Sequence, residues 1–282
     1  MPRDKITSLT NPRVKELVRL RTGRHRKDSG VTIVDGLREI LRAVESGVKF
    51  REFYLCPELI GRGEEEKELK TKLSRVNVPV SEVTKTVFAK IAYGDRQEGV
   101  LGICETPGRP LADLELEANA CLPPACRRGR DRQALVVVIE HVEKPGNLGA
   151  ILRTCDAAGV NGVFVCDSQT DLYNPNVIRA SVGTIFTVNT VQCSNDEALR
   201  FLRTKGIKVY AASPRAQTLY TRTDLTGAAA LVLGSEQEGL SDFWDKNADA
   251  RVKIPMRGRA DSLNVSTSAA ILIYEAIRQR TR

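Results

Sequence analysis

The stretch that decides the fold is Leu231-Val-Leu-Gly234-Ser-Glu236-Gln-Glu-Gly239, an apolar run that stops in a Gly-Ser-Glu turn. A short apolar run bounded by turn residues is the pattern of a buried strand, and open α/β sheets place ligands in the loops after such strands. Two more segments follow in the same manner. Val252-Lys-Ile254-Pro-Met256 is a short strand closed by Pro255, and Ser262-Leu-Asn264-Val-Ser266 is a polar turn opening an apolar helix from Val265 to Arg280. Together the three loops outline one cofactor pocket. Working outward, the apolar runs at 134–140, 162–166, 185–188, 207–212, 229–234 and 250–254 predict strands, with helical patterns between them. Nearly continuous apolar strands separated by helices imply a parallel sheet covered on both faces, an α/β architecture.

Farther toward the N-terminus, residues 1–106 alternate short helical and strand patterns, with strands expected at 31–34, 52–55 and 99–104. This is a small α/β unit. Pro107, Pro110, Pro123 and Pro124 punctuate the stretch that follows, and its exit is the basic run Arg127-Arg128-Gly-Arg130-Asp-Arg132. Such a composition reads as a linker, so the expected organisation is one domain at 1–106, a linker at 107–133 and a second domain at 134–282. The length of 282 residues and the 41% hydrophobic content suit two domains with real cores. No internal repeat is evident.

The net charge of +8, from 43 Lys and Arg against 35 Asp and Glu, favours a polyanionic partner. Positive charge concentrates in Arg19-Leu-Arg21-Thr-Gly-Arg24-His25-Arg26-Lys27, a short segment expected to be mobile. It is either a solvated face or a set of phosphate contacts. The 7 cysteines form no Cys-x-x-Cys pair and the 2 histidines stand far apart, which fits reduced thiols and argues against a metal site. No apolar run reaches membrane-spanning length, and Met1-Pro-Arg-Asp-Lys5 lacks the apolar segment of a secretory signal, so a cytoplasmic protein is expected.

The loop after the strand at 134–140 carries a second constellation, Lys144-Pro-Gly-Asn147-Leu-Gly149-Ala-Ile-Leu-Arg153-Thr154. Asn147 is expected as a helix N-cap, with Arg153 on the second turn. The run is neither the G-x-G-x-x-G dinucleotide fingerprint nor a P-loop, which weakens nucleotidase and NAD-dependent readings.

In order, Asn147-x-Gly149-x-x-x-Arg153-Thr154, Gly234-x-Glu236-x-x-Gly239-Leu240, and Ile254-Pro255-Met256 with Ser262-Leu263-Asn264-Val265-Ser266 resemble the three motifs of the SpoU (TrmH-like) branch of the SPOUT RNA methyltransferases. The resemblance covers residues 134–282. The N-terminal part is similar to the RNA substrate-binding domain found ahead of that catalytic domain, a module like those of ribosomal proteins. There the matching residues are Ser8-Leu-Thr-Asn-Pro12 with Lys15 and Leu17, then Val34-Asp35-Gly36 and Gln97-Glu-Gly99; Asp35 stands where the family has Glu, and Glu98 separates Gln97 from Gly99.

The resemblance implies a ribose 2′-O-methyltransferase that uses S-adenosylmethionine on structured RNA, ribosomal (23S-type) RNA before transfer RNA, and works as a homodimer. It also implies a trefoil knot formed by the chain after Gly234. By similarity Ala211, Gly234, Glu236, Ile254, Met256, Leu263 and Ser266 would hold the cofactor, largely through backbone groups. Arg153 would activate the hydroxyl, with Asn147, Glu236 and Asn264 arranging the site. Arginine is a poor base, so Arg153 either loses its proton transiently or stays charged and stabilises the developing alkoxide. Arg19, Arg21, Arg24, Arg26 and Lys27 would contact RNA, as would Arg179 and Ser181 of the Arg179-Ala-Ser181-Val-Gly183 element.

Each of these residues also has a structural reading. Arg153 suits a salt bridge, Glu236 a cap, and Ser262, Asn264 and Ser266 a helix start. It is their joint occurrence over more than a hundred residues that favours an enzyme. A noncatalytic RNA-binding or ribosome-assembly factor, a base-methylating SPOUT enzyme and a tRNA ribose methyltransferase are the alternatives, separated by cofactor binding, nuclease digestion of the product and RNA class. The scarcity of aromatic residues, 7 Phe, 6 Tyr and 1 Trp, disfavours a base-stacking platform.

Overall fold

The computed structural model describes residues 4–60, 67, 71–73, 76–94, 98–116, 133–168, 170–235 and 237–281. The chain divides into two compact units, one of residues 1–107 with 173–187, the other of residues 108–172 with 188–282. Among the described residues no helix is long and apolar enough to cross a membrane.

The first unit opens with β1 (Asp4–Ile6), α1 (Pro12–Arg19), α2 (Gly23–Ser29), β2 (Val31–Asp35), α3 (Leu37–Glu45), β3 (Phe50–Leu55), β4 (Val80–Val83), α4 (Lys85–Ile91) and β5 (Val100–Glu105). Local chemistry sets these boundaries. Asn11 caps α1 by accepting from the Arg13 N–H, with Pro12 at the first turn, and Gly30 at φ 65° ends α2 in the left-handed region. The strands form one sheet in the order β1-β4-β3-β5-β2, in which β4 runs parallel to β1 and β3 while β5 runs antiparallel to β3 and β2. A Cβ on Gly102 would stand 2.6 Å from the Phe50 ring, which stacks on Phe53, so glycine there lets two aromatic rings lie flat on β5.

The second unit begins with β6 (Leu135–Glu140), α5 (Pro145–Ala158) and β7 (Gly162–Cys166). The chain then returns to the first unit as α6 (Pro175–Ala180) and a 3-10 turn at Thr184–Phe186. Side chains of the first unit hold this excursion by its carbonyls. Thr32 Oγ1 donates to the Tyr173 carbonyl at 2.7 Å, and Arg42 donates to that of Val182. After it come β8 (Thr190–Cys193), α7 (Asn195–Thr204), β9 (Lys208–Ala212), β10 (Thr218–Leu219), β11 (Ala229–Leu233), α8 (Asp242–Asn247), β12 (Ala250–Lys253) and α9 (Val265–Arg280). The seven strands pair in the order β10-β12-β9-β11-β6-β7-β8, every pairing parallel. β6, β7 and β11 are buried along their whole length, as their unbroken apolar runs require.

The strand expected at 185–188 is not formed. Gly183 takes φ 79°, and the hydroxyls of Thr184 and Thr187 donate to the carbonyls of Ser181 and Thr184, which tightens the backbone into a 3-10 turn. The strand in this part of the chain is β8, five residues later. The segment 19–27, expected to be mobile, is instead the end of α1 and most of α2.

Candidate active site

Parallel strands point their C-terminal ends to one edge of the second unit, and the loops leaving β9, β11 and β12 meet there around a cavity of about 520 Å³. Gly234, Ile254, Met256 and Leu263 line it, together with the loop residues Ser235 and Gln237–Leu240. Gly234 is required sterically: a Cβ there would stand 2.1 Å from the Gly239 carbonyl carbon and oxygen. The loop folds back on itself through paired backbone hydrogen bonds between Ser235 and Gly239, the latter at φ 74°. This part of the wall is therefore main chain rather than side chain. Ala211 is buried in β9 and its neighbour Ala212 lines the cavity instead; Ser266 is likewise off the lining, between the lining residues Val265 and Ser268. Glu236 lies outside the described residues.

Asn147 and Asn264, 117 positions apart, meet by a hydrogen bond from Asn264 Nδ2 to Asn147 Oδ1 of 3.1 Å. Asn264 is the N-cap of α9, its Oδ1 accepting from the Ser266 N–H at 2.9 Å and the Ser266 hydroxyl at 2.6 Å. Asn147 does not cap α5. Pro145 begins the helix, having no N–H to leave unsatisfied, so Lys144 is the N-cap and Asn147 sits within the first turn. That position frees its side chain to face Asn264. Arg153, farther along α5, is exposed, and no described residue hydrogen-bonds or ion-pairs with its guanidinium.

A network unread in the sequence supports the cavity loop. Glu140, at the end of β6, is fully buried and accepts from Asn195 Nδ2 (2.6 Å), the Ser241 N–H (2.8 Å) and the Ser241 hydroxyl (2.6 Å). Asn195 Oδ1 in turn accepts from the indole of buried Trp244 at 2.7 Å. One carboxylate thus fixes the residue that follows the cavity loop and precedes α8. At the other end of the sheet, buried Arg280 donates to the carbonyls of Leu225 (2.9 Å), Gln133 (2.8 Å) and Gly227 (2.6 Å), tying the end of α9 to the entries of β6 and β11.

The residues expected to touch RNA fall into two groups. Arg19, Arg24 and Lys27 are exposed, with Arg19 near Glu16 at 3.8 Å and Arg24 near Asp28 at 3.8 Å. Arg21 is exposed but donates to the carbonyls of Lys90 and Ala92 at 2.8 and 2.6 Å. Arg26 is buried and spends its guanidinium on the carbonyls of Leu20 and Arg21, which corrects its assignment to RNA. Ser181 is also corrected: it is fully buried and its hydroxyl donates to the Ile178 carbonyl at 2.9 Å. Arg179 donates to the Tyr93 carbonyl and stands 3.5 Å from Asp35. The basic run 127–132 lies outside the described residues.

Asp35 is the unusual carboxylate of the first unit. It is 2% exposed; Oδ2 accepts from the Tyr93 N–H at 2.6 Å, while Oδ1 is buried without a hydrogen-bond partner among the described residues. Burial pushes its pKa up to about 6, opposed by the Tyr93 hydrogen bond and the Arg179 charge. Cys56, Cys104, Cys155, Cys166 and Cys193 are free thiols; Cys121 and Cys126 lie outside the described residues. Burial pushes the Cys104 thiol up to about 12.

The chain thus combines a parallel α/β sheet that carries a main-chain-walled cavity at its strand ends with a separate small α/β unit. The SpoU rRNA Methylase family matches residues 134–274, and the MRM3-like substrate binding domain matches residues 11–102. The chain belongs to the SpoU rRNA methylase family. It is 37% identical over 87% of its length to the 23S rRNA (guanosine-2′-O-)-methyltransferase RlmB of Xanthomonas axonopodis pv. citri (strain 306), covering 90% of that protein. It is 29% identical over 97% of its length to the 23S rRNA (adenosine(1067)-2′-O)-methyltransferase of Streptomyces azureus, covering 96% of it. Among solved structures, the AdoMet-bound rRNA methyltransferase from Sinorhizobium meliloti superposes with a TM-score of 0.82 at 29% identity, over 97% of each chain.

Proposed function

We propose that the chain transfers a methyl group from S-adenosylmethionine to a ribose 2′-hydroxyl of 23S ribosomal RNA. The observation that carries this reading is the strand-end cavity bounded by Gly234, Ile254, Met256 and Leu263. Its volume of about 520 Å³ suits a nucleoside-sized ligand. Its glycine-lined loop brings main-chain donors and acceptors within reach of a base edge. S-adenosylmethionine supplies the electrophilic methyl group when bound. The chain's own residues bind it, orient it and make one hydroxyl nucleophilic.

Asn147 and Asn264 orient the hydroxyl at the junction of α5 and α9, and the role given to Glu236 rests on the sequence motif alone. Arg153, exposed and without an acid beside it among the described residues, acts as a fixed cation that stabilises the forming alkoxide, while the proton leaves to a phosphate or water. The N-terminal unit reads RNA shape through Arg19, Arg24 and Lys27, and only RNA offers the 2′-hydroxyl. The enzyme acts in the cytoplasm as a homodimer. The dimer reading is supported by Tyr274, 50% exposed on α9 beside half-buried Ala270, Ile271 and Ile277.

Purified protein is incubated with labelled S-adenosylmethionine and unmodified total RNA, followed by separation of RNA classes and nucleoside analysis. Label in a 2′-O-methylnucleoside of 23S rRNA is the expected outcome. Label in a base, in transfer RNA, or in no RNA would overturn the assignment.

A further inference from the structure

The charged groups on the cavity wall are unevenly distributed. Among the described residues, Arg215 is the only basic one that lines it, against Glu238, Asp245 and Asp261. Asp245 stands 3.9 Å from Arg251, a residue off the lining. No acidic group among the described residues pairs with Arg215. Its backbone is held at the rim: Arg215 follows Pro214 in the turn after β9, where its main-chain N–H donates to Ser213 Oγ at 3.3 Å. A cavity that carries a lone guanidinium and several carboxylates is complementary to a zwitterion rather than to a nucleoside alone.

We infer that Arg215 holds the α-carboxylate at the amino-acid end of the cofactor, with Glu238 and Asp261 facing its ammonium and sulfonium charges. The inference rests on the cofactor reading proposed above and assigns one end of that ligand. A guanidinium fork matches a carboxylate with two parallel N–H donors, a geometry that lysine cannot reproduce. Water screens an exposed pair of this kind, so the effect is moderate.

Calorimetric titration of the full-length protein separates the two ends of the ligand. The probes are S-adenosylhomocysteine, which keeps the amino-acid end, and 5′-methylthioadenosine, which lacks it. Arg215→Gln should weaken S-adenosylhomocysteine about tenfold while leaving 5′-methylthioadenosine within about twofold of the unaltered protein. Arg215→Lys should fall between the two, and because the side chain is exposed both variants should melt with the unaltered protein. Equal losses for both probes would mean that Arg215 only shapes the wall, and would overturn the inference. So would unchanged binding of both probes, including the case in which Arg215→Gln loses affinity for 23S rRNA alone. If the unaltered protein binds neither probe, the cofactor reading itself fails and the inference with it; if it binds both equally well, only the inference fails.

Discussion

Two buried carboxylates, Glu140 in the second unit and Asp35 in the first, end apolar strands in similar settings and meet different fates. Glu140 is surrounded by three donors from Asn195 and Ser241. Asp35 has one backbone donor, the Arg179 guanidinium at 3.5 Å on the same oxygen, and a second oxygen with no partner among the described residues. A buried acceptor that is fully satisfied fixes whatever donates to it, and here that is the end of the cavity loop. A buried acceptor that is half satisfied is left with part of its desolvation cost, which surfaces as a raised pKa. The same residue class thus builds a rigid support in one unit and a titrating group in the other.

Replacing Glu140 by Gln should be the most damaging change, because it puts an amide NH2, a donor, where an accepting oxygen faced the donors of Asn195 or Ser241; a loss of about 3 kcal/mol in urea unfolding is expected. A loss below about 0.5 kcal/mol would erase the contrast between the two carboxylates. Arg280→Ala, which leaves several carbonyls under-satisfied, should cost about 2 kcal/mol by the same measurement. Asp35 works in the opposite sense. Because its folded pKa is raised from 3.8 to about 6, its contribution is fully present below pH 3.8 and is lost as pH rises through 6. Asp35→Asn should therefore flatten the stability profile across that window, by up to about 3 kcal/mol relative to the unaltered protein. Ser241→Ala should be the mildest change, about 1 kcal/mol, since its N–H still reaches Glu140.

Legibility in the sequence followed physical range. Five of the six expected strands of the C-terminal half correspond to strands in the structure, and for β6, β7 and β11 the reason is that a fully buried parallel strand must be apolar along its length. The run Ile185-Phe-Thr-Val188 has the same composition, but nearby threonine hydroxyls and a left-handed glycine bend it, and composition does not report either. Arg26 and Ser181 show the same limit on the functional side: a basic run or a polar motif does not say which helix face a residue occupies. Asn147 was visible as a polar residue at a helix start, yet its partner Asn264 is 117 positions away. Glu140, Asn195, Ser241 and Trp244 carried no local signal at all, since each makes sense only against the others.

The most direct test of the account is single-turnover methyl transfer to unmodified 23S rRNA by Arg153→Ala, with S-adenosylmethionine binding measured on the same protein. Cofactor binding within about twofold and transfer slowed by about a hundredfold or more are predicted, as for a group that acts only as charge develops. Transfer at the unaltered rate would contradict the assignment of Arg153 and, with it, the proposed chemistry of the site.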